Sequence, residues 1–322
     1  MILTVTLNPL LERRLDFEKL EPGKNNRAER EYFRAGGKGI NVSRQLNLLN
    51  VKNTALTFIG GNNGKIFRRI IEEERILPVY VNMKSELRWA TVAFEKTGER
   101  LTTLFAPNHY VSEREAAEFE KRMERMIANC SIVVFAGSSP HPNTDYLFAR
   151  GVEIAHEHDK ISVVDTYGNA LKLALEKAPT VIHNNIEELK STLNIELKTE
   201  KEKRHFLYSL YEKGIKMAFL TNGKNTVYAS KFDFHYKISP PKIHEKDATG
   251  SGDAFVAGIA SGLENGLTFD EFTRKAISLG AANAESFETC SVSPEEYGKF
   301  LSCLTLKTVG KKMKLIDDSP TI

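Results

Sequence analysis

The sequence predicts an α/β fold with a mostly parallel central sheet covered by helices on both faces. Three observations carry it. Short, mostly apolar runs recur at residues 131–137, 161–165, 180–182 and 217–220, each after a helical stretch. Strands alternating with helices pair in parallel, and burial on both faces removes the polar alternation of a half-exposed strand. Gly137-Ser138, Asp165, Asn185 and Asn222-Gly223 fall at the ends of these runs, where such sheets bind ligands. Finally, residues 91–105 read strand, turn, strand, a hairpin interrupting the alternation.

Ile2-Leu3-Thr4-Val5-Thr6-Leu7 is a first strand, stopped by Asn8-Pro9. Residues 12–34 are charged and turn-rich. Gly36-Gly37-Lys38-Gly39 then leads into Ile40, Val42, Leu46 and Leu49, spaced as one face of a helix. Ala116, Phe119, Met123, Met126, Ile127 and Cys130 form a second helical stripe ahead of the strand at 131–137. Near the carboxyl end, Asp247-Ala248-Thr249-Gly250-Ser251-Gly252-Asp253 runs directly into an apolar helix. Residues 307–322 lack an apolar period and are expected to form a loose tail.

The 322 residues are 41% hydrophobic and 27% charged, which suits a globular protein with an ample core. A net charge of +3 without a dense basic tract argues against nucleic acid as a partner. No apolar stretch reaches the roughly 20 residues of a membrane span, and the opening residues lack a signal-peptide pattern. Three scattered cysteines, Cys130, Cys290 and Cys303, suit a reducing compartment. A cytoplasmic location is expected.

Residues 247–253 carry the chemistry. Gly250 and Gly252 among small residues allow several N–H groups to converge on an anion, and a helix starting there adds its positive end. Asp253 stands beside that cradle, where it can take a proton from an attacking hydroxyl. The bland alternative is a helix cap. Other glycine-rich chemistries fail: Gly60-Gly61-Asn62-Asn63-Gly64-Lys65 is followed by Ile66, which breaks the P-loop pattern, and Phe255 stands where a dinucleotide fingerprint needs its third glycine.

The pair of segments, Ala35-Gly36-Gly37-Lys38-Gly39-Ile40-Asn41-Val42-Ser43 and residues 247–253, resembles the two signatures of ribokinase-like sugar kinases of the PfkB type. The likeness spans residues 1 to about 305. It implies a three-layer α/β/α fold with a small β lid: a main domain of residues 1–11, 34–84 and 107–306, a lid of 12–33 and 85–106, and a tail of 307–322. The opening residues 1–9 and Lys38 resemble the branch of hexose-phosphate kinases, with 1-phosphofructokinase and tagatose-6-phosphate kinase as its types. That implies transfer from ATP, with Mg²⁺, to a ketohexose phosphate, fructose 1-phosphate first and tagatose 6-phosphate or fructose 6-phosphate as alternatives.

By the same resemblance Asp253 is the base and Gly250, Ser251 and Gly252 the anion hole. Glu12, Gly37, Asn41 and Ser138 face the sugar, while Lys38, Arg27 and Arg88 supply cations to its phosphate. Asn185, Thr221, Gly223, Thr249 and Asn283 lie toward the nucleotide, and Glu188 acts on the metal through water. The resemblance also allows a homodimer through the lid. Bland readings stand beside these roles: solvated surface charge for Lys38, Arg88 and especially Arg27, an exposed helix acid for Glu188, and a satisfied core histidine for His183.

The chain departs from the family at Glu12, where an aspartate is usual, at His183-Asn184-Asn185 in place of Lys-Pro-Asn, and at Thr221-Asn222-Gly223 in place of Ser-Leu-Gly. These departures leave the preferred sugar open. They also motivate a second reading, a ligand-binding regulator that kept the fold and lost turnover.

Overall fold

A computed structural model describes residues 1–310. The first half of the chain forms β1 (Ile2–Thr6), β2 (Leu10–Phe17), β3 (Arg30–Gly36), α1 (Lys38–Leu48), β4 (Asn53–Ile59), α2 (Gly61–Glu73), β5 (Pro78–Asn82), β6 (Trp89–Glu95), β7 (Arg100–Phe105), α3 (Glu113–Ala128) and β8 (Ile132–Ala136). Then follow α4 (Leu147–Glu157), β9 (Ile161–Asp165), α5 (Gly168–Leu175), β10 (Val181–Asn185), α6 (Ile186–Leu193), α7 (Glu200–Glu212) and β11 (Met217–Thr221). The chain closes with β12 (Val227–Lys231), β13 (Phe234–Ile238), α8 (Ser251–Glu264), α9 (Phe269–Ala284), α10 (Pro294–Leu301) and β14 (Lys307–Val309).

Ten strands form one sheet in the order β14-β13-β12-β11-β10-β9-β8-β1-β4-β5. From β5 to β11 every pairing is parallel, and β12, β13 and β14 extend that edge antiparallel. The inner strands are buried along their whole length, as in Ile2–Thr6 and Ile132–Ala136, because apolar layers cover both faces. Leu3, Val5, Phe58 and Phe135 pack with Phe67 of α2, Phe119 of α3 and Phe148 of α4. On the opposite face Ile2 and Val134 pack with Val42 of α1, Phe255 of α8 and Phe272 of α9.

β2, β3, β6 and β7 form a separate four-stranded sheet in the order β3-β2-β6-β7. Residues 10, 11 and 34–36 belong to its strands, although the sequence division put them in the main domain. The stretch 12–34, read from sequence as turn-rich, holds most of two strands. Its charges are accommodated by cross-strand pairing: Arg13 Nε donates to Glu31 Oε1 at 2.6 Å. The expected tail also begins with structure, because Lys307–Val309 pairs with β13 as an edge strand; the rest of that segment, 311–322, lies outside the described residues. Among the described residues no helix is long and apolar enough to cross a membrane.

Candidate active site

The strand order reverses at β1, with β4 on one side and β8 on the other. A crevice opens at such a point beyond the carboxyl ends of the strands. Here a cavity of about 550 Å³ is lined by Asn8 after β1, Gly137 and Ser138 after β8, and the first residues of α1 and α8.

Both helices begin on glycines that no other residue could replace without movement. Gly37 caps α1 at φ 119°, and a Cβ there would lie 2.9 Å from Thr6 Cγ2. Gly250 caps α8 in the left-handed region at φ 78°, and its Cβ would lie 2.1 Å from Thr289 Cγ2. Neither helix start has a side-chain cap, whereas α3, α6, α7, α9 and α10 each carry a capping box. The first-turn N–H groups of α1 and α8 therefore lack a side-chain acceptor. Gly250, Ser251 and Gly252 all line the cavity.

Asp253 is the third residue of α8, so it does not cap the helix. It is buried, and its Oδ2 accepts from Asn41 Nδ2 at 2.8 Å. Burial pushes its carboxyl up to about 7; Lys38 and the Asn41 bond pull it down, while Asp165 and Glu188 push it further up. A carboxyl balanced near neutrality suits a proton acceptor.

Lys38 Nζ lies 2.9 Å from Glu188 Oε1 and 3.4 Å from Asp165 Oδ1. Burial disfavours its charge, yet the carboxylates of Asp165, Glu188 and Asp253 raise its pKa overall. Asp165 is fully buried; burial would raise its carboxyl, but Lys38 and His183 bring it down to about 2. Its Oδ2 has no hydrogen-bond partner. His183 places Nδ1 3.1 Å from Asp165 Oδ1 and Nε2 3.1 Å from Thr221 Oγ1, and its ring stacks on Phe255. It is a satisfied buried histidine and a lining residue of the cavity as well.

Arg88 is held differently. It donates to the carbonyls of Asn8 at 3.0 Å and Pro9 at 3.4 Å and to Asn108 Oδ1 at 3.2 Å. All three are neutral acceptors, and Arg88 lines the cavity.

The structure brings together Glu12, Gly37, Lys38, Asn41, Arg88, Ser138, Asn185, Glu188, Thr221, Gly223, Thr249 and the 250–253 segment around one cavity. Two expected residues stand elsewhere. Arg27 lies in the exposed loop between β2 and β3 and does not line the cavity. Asn283 is fully buried behind it: Nδ2 donates to Thr249 O at 2.8 Å and Ser251 Oγ at 3.2 Å, and Oδ1 accepts from Cys290 N. Asn283 braces the loop that leads into α8. Lys38, expected to meet a substrate phosphate with Arg88, instead bridges two carboxylates. Glu12 pairs with Arg14, whose Nε lies 3.2 Å from Oε2.

Sequence reasoning passed over the partners: Asp165 for Lys38, and Arg44 for Asn41. The Asp165 position at a strand end was visible, but its pairing was not. Arg44 lay three residues beyond Asn41, on the same helix face.

A family model described as pfkB family carbohydrate kinase matches residues 7–296. A tagatose-6-phosphate kinase of Staphylococcus epidermidis is 31% identical over 301 residues, 92% of this chain and 96% of that protein. Among solved structures, phosphofructokinase-2 of Escherichia coli in complex with potassium superposes with a TM-score of 0.88 at 22% identity, covering 94% of this chain and 98% of that one. A Thermotoga maritima protein described as a possible 1-phosphofructokinase gives 0.86 at 24% identity, covering 96% and 100%.

Proposed function

The chain belongs to the pfkB family of carbohydrate kinases, and on that premise we propose that it moves the terminal phosphoryl group of ATP to a primary hydroxyl of a ketohexose monophosphate, giving a bisphosphate. Membership implies ATP as co-substrate. The observation that carries the acceptor class is Arg88, a cation on neutral acceptors at the cavity wall, suited to a phosphate already on the sugar. Fructose 1-phosphate is the first substrate proposed, from the likeness of residues 1–9 to that branch. Tagatose 6-phosphate is the second reading, favoured by the 31% identical relative of that name.

In this reading Asp253 accepts the hydroxyl proton as the phosphoryl group passes in line from donor to acceptor, late in a loose transition state. The start of α8 faces the transferring oxygens with a first turn that carries no side-chain cap. Asn41 holds Asp253, and Glu12 and Ser138 line the sugar end. Thr221, Gly223 and Thr249 line the nucleotide end, and Asn283 supports that loop without touching the nucleotide.

The donor set fits Mg²⁺ as a partly hydrated ion. Glu188 offers a carboxylate oxygen to the cavity, and the nearby Asp165 Oδ2 lacks a partner. Mg²⁺ keeps part of its hydration shell, so water and phosphates would complete its coordination. When bound, the metal would neutralise charge on the transferring phosphoryl oxygens.

A homodimer through the four-stranded sheet is proposed with it, supported by the exposed side chains of Phe33, Trp89 and Leu104, and sedimentation tests it. ADP release across fructose 1-phosphate, tagatose 6-phosphate, fructose 6-phosphate and their neutral sugars tests the substrate. Turnover confined to the phosphorylated sugars agrees with the proposal. Preference for a neutral sugar contradicts it, and nucleotide and sugar-phosphate binding without ADP would mark a regulator instead.

A further inference from the structure

We propose that Arg44 positions the proton-accepting carboxylate without touching it: its guanidinium fixes which way the Asn41 amide faces, and Asn41 in turn holds Asp253. The inference rests on the reading of Asp253 as the base. Arg44 is buried on α1, one turn beyond Asn41. Its Nη1 donates to Asn41 Oδ1 at 2.7 Å, Nη2 to Ala35 O at 2.5 Å, and Nε to Glu74 Oε2 at 3.0 Å.

A guanidinium has donors only, so the Asn41 atom against it must be the carbonyl oxygen. The amide NH₂ is thereby turned to Asp253 Oδ2. The orientation matters because burial raises the Asp253 carboxyl, which brings its protonated form into competition with the carboxylate. A neutral Asp253 would gain from an inverted amide, since its O–H could then donate to the Asn41 carbonyl. Inversion would aim the NH₂ at Arg44, donor against donor, in a buried site where a lost hydrogen bond is costly. Arg44 therefore blocks the amide orientation that stabilises the protonated form, and leaves one carboxylate oxygen held and the other for the acceptor hydroxyl. The charged groups facing Asp253 are Lys38, Asp165 and Glu188. Arg44 acts on it through Asn41.

The alternative is a purely structural Arg44 that ties α1 to β3 through Ala35 and to α2 through Glu74. The pH dependence of kcat/KM separates the two. In Arg44→Gln the acid limb is expected to rise by about one pH unit, with about a fivefold loss at pH 7 that recovers by pH 9. Arg44→Lys, still a donor-only cation, restores the limb. Glu74→Gln, which breaks the structural tie alone, leaves it in place. In an Asn41→Ala background, adding Arg44→Gln moves the limb no further. Where Arg44→Gln is too unstable to assay, the double variant with Glu74→Gln removes both charges of the pair and is read in the same way. A folded variant with an unmoved limb, or a further shift in the Asn41→Ala background, overturns the proposal. If Asp253→Asn keeps its turnover, the reading of the site itself fails, which is a different outcome.

Discussion

Asn41 Nδ2 and Asp253 Oδ2 meet at 2.8 Å across two helices whose starts flank one cavity. The bond joins the amino-terminal glycine motif to the carboxy-terminal one, and it orients a carboxyl that burial has lifted to about 7. Asp253→Asn should lower kcat by roughly a thousandfold or more while ATP affinity, measured by calorimetry, changes little.

The same carboxyl makes stability depend on pH. Its folded pKa of about 7 lies above the ordinary 3.8, so between these values the folded chain keeps a proton that the unfolded chain has released. This contribution to stability is complete below about pH 4 and is lost as pH rises through about 7. Asp253→Asn removes the slope. Thermal melts should show the variant gaining on the wild type between pH 4 and pH 8; a constant difference would contradict the assigned burial of charge.

Lys38 neutralises Asp165 and Glu188 and pulls Asp253 down. Lys38→Met leaves Asp165 with His183 alone, a loss of about 3 kcal/mol by analogy with other broken buried pairs. The acid limb of kcat/KM should move above 7. An unmoved limb in a folded variant would remove Lys38 from the electrostatics of the base.

Arg88→Ala should raise KM for phosphorylated ketohexoses by about 10- to 100-fold, the range expected for losing a charge-assisted contact. Neutral sugars should be unaffected. An equal rise for both would assign Arg88 to the architecture of the Asn8–Pro9 turn.

Gly250→Ala places a methyl 2.1 Å from Thr289 Cγ2 at a left-handed φ. Turnover should fall by about two orders of magnitude, and Thr289→Ser should recover part of it by removing the clashing methyl. No recovery would mean that the backbone angle alone accounts for the loss.

The parallel sheet and the helix starts were legible because they rest on local patterns: apolar runs, glycines, and the order of two motifs. The placement of Asp253 and Gly250 beside one cavity was legible for the same reason. What Lys38 does was not, because its partners Asp165 and Glu188 stand 127 and 150 residues away in sequence. Only the β1–β8–β9–β10 order brings them together. Asn283 shows the converse error: a polar residue near the motif in space faces the back of the loop. β2 and β3 were hidden because Arg13, Arg14 and Glu31 occupy strand positions where cross-strand pairs and Glu12, not apolar burial, satisfy their charges.

The most direct test follows bisphosphate and ADP together, by phosphorus NMR, from a ketohexose monophosphate and ATP in the wild type and in Asp253→Asn. The account predicts equal amounts of the two products in the wild type and a thousandfold slower reaction in the variant. ADP formed without bisphosphate, or a variant as fast as the wild type, would contradict it.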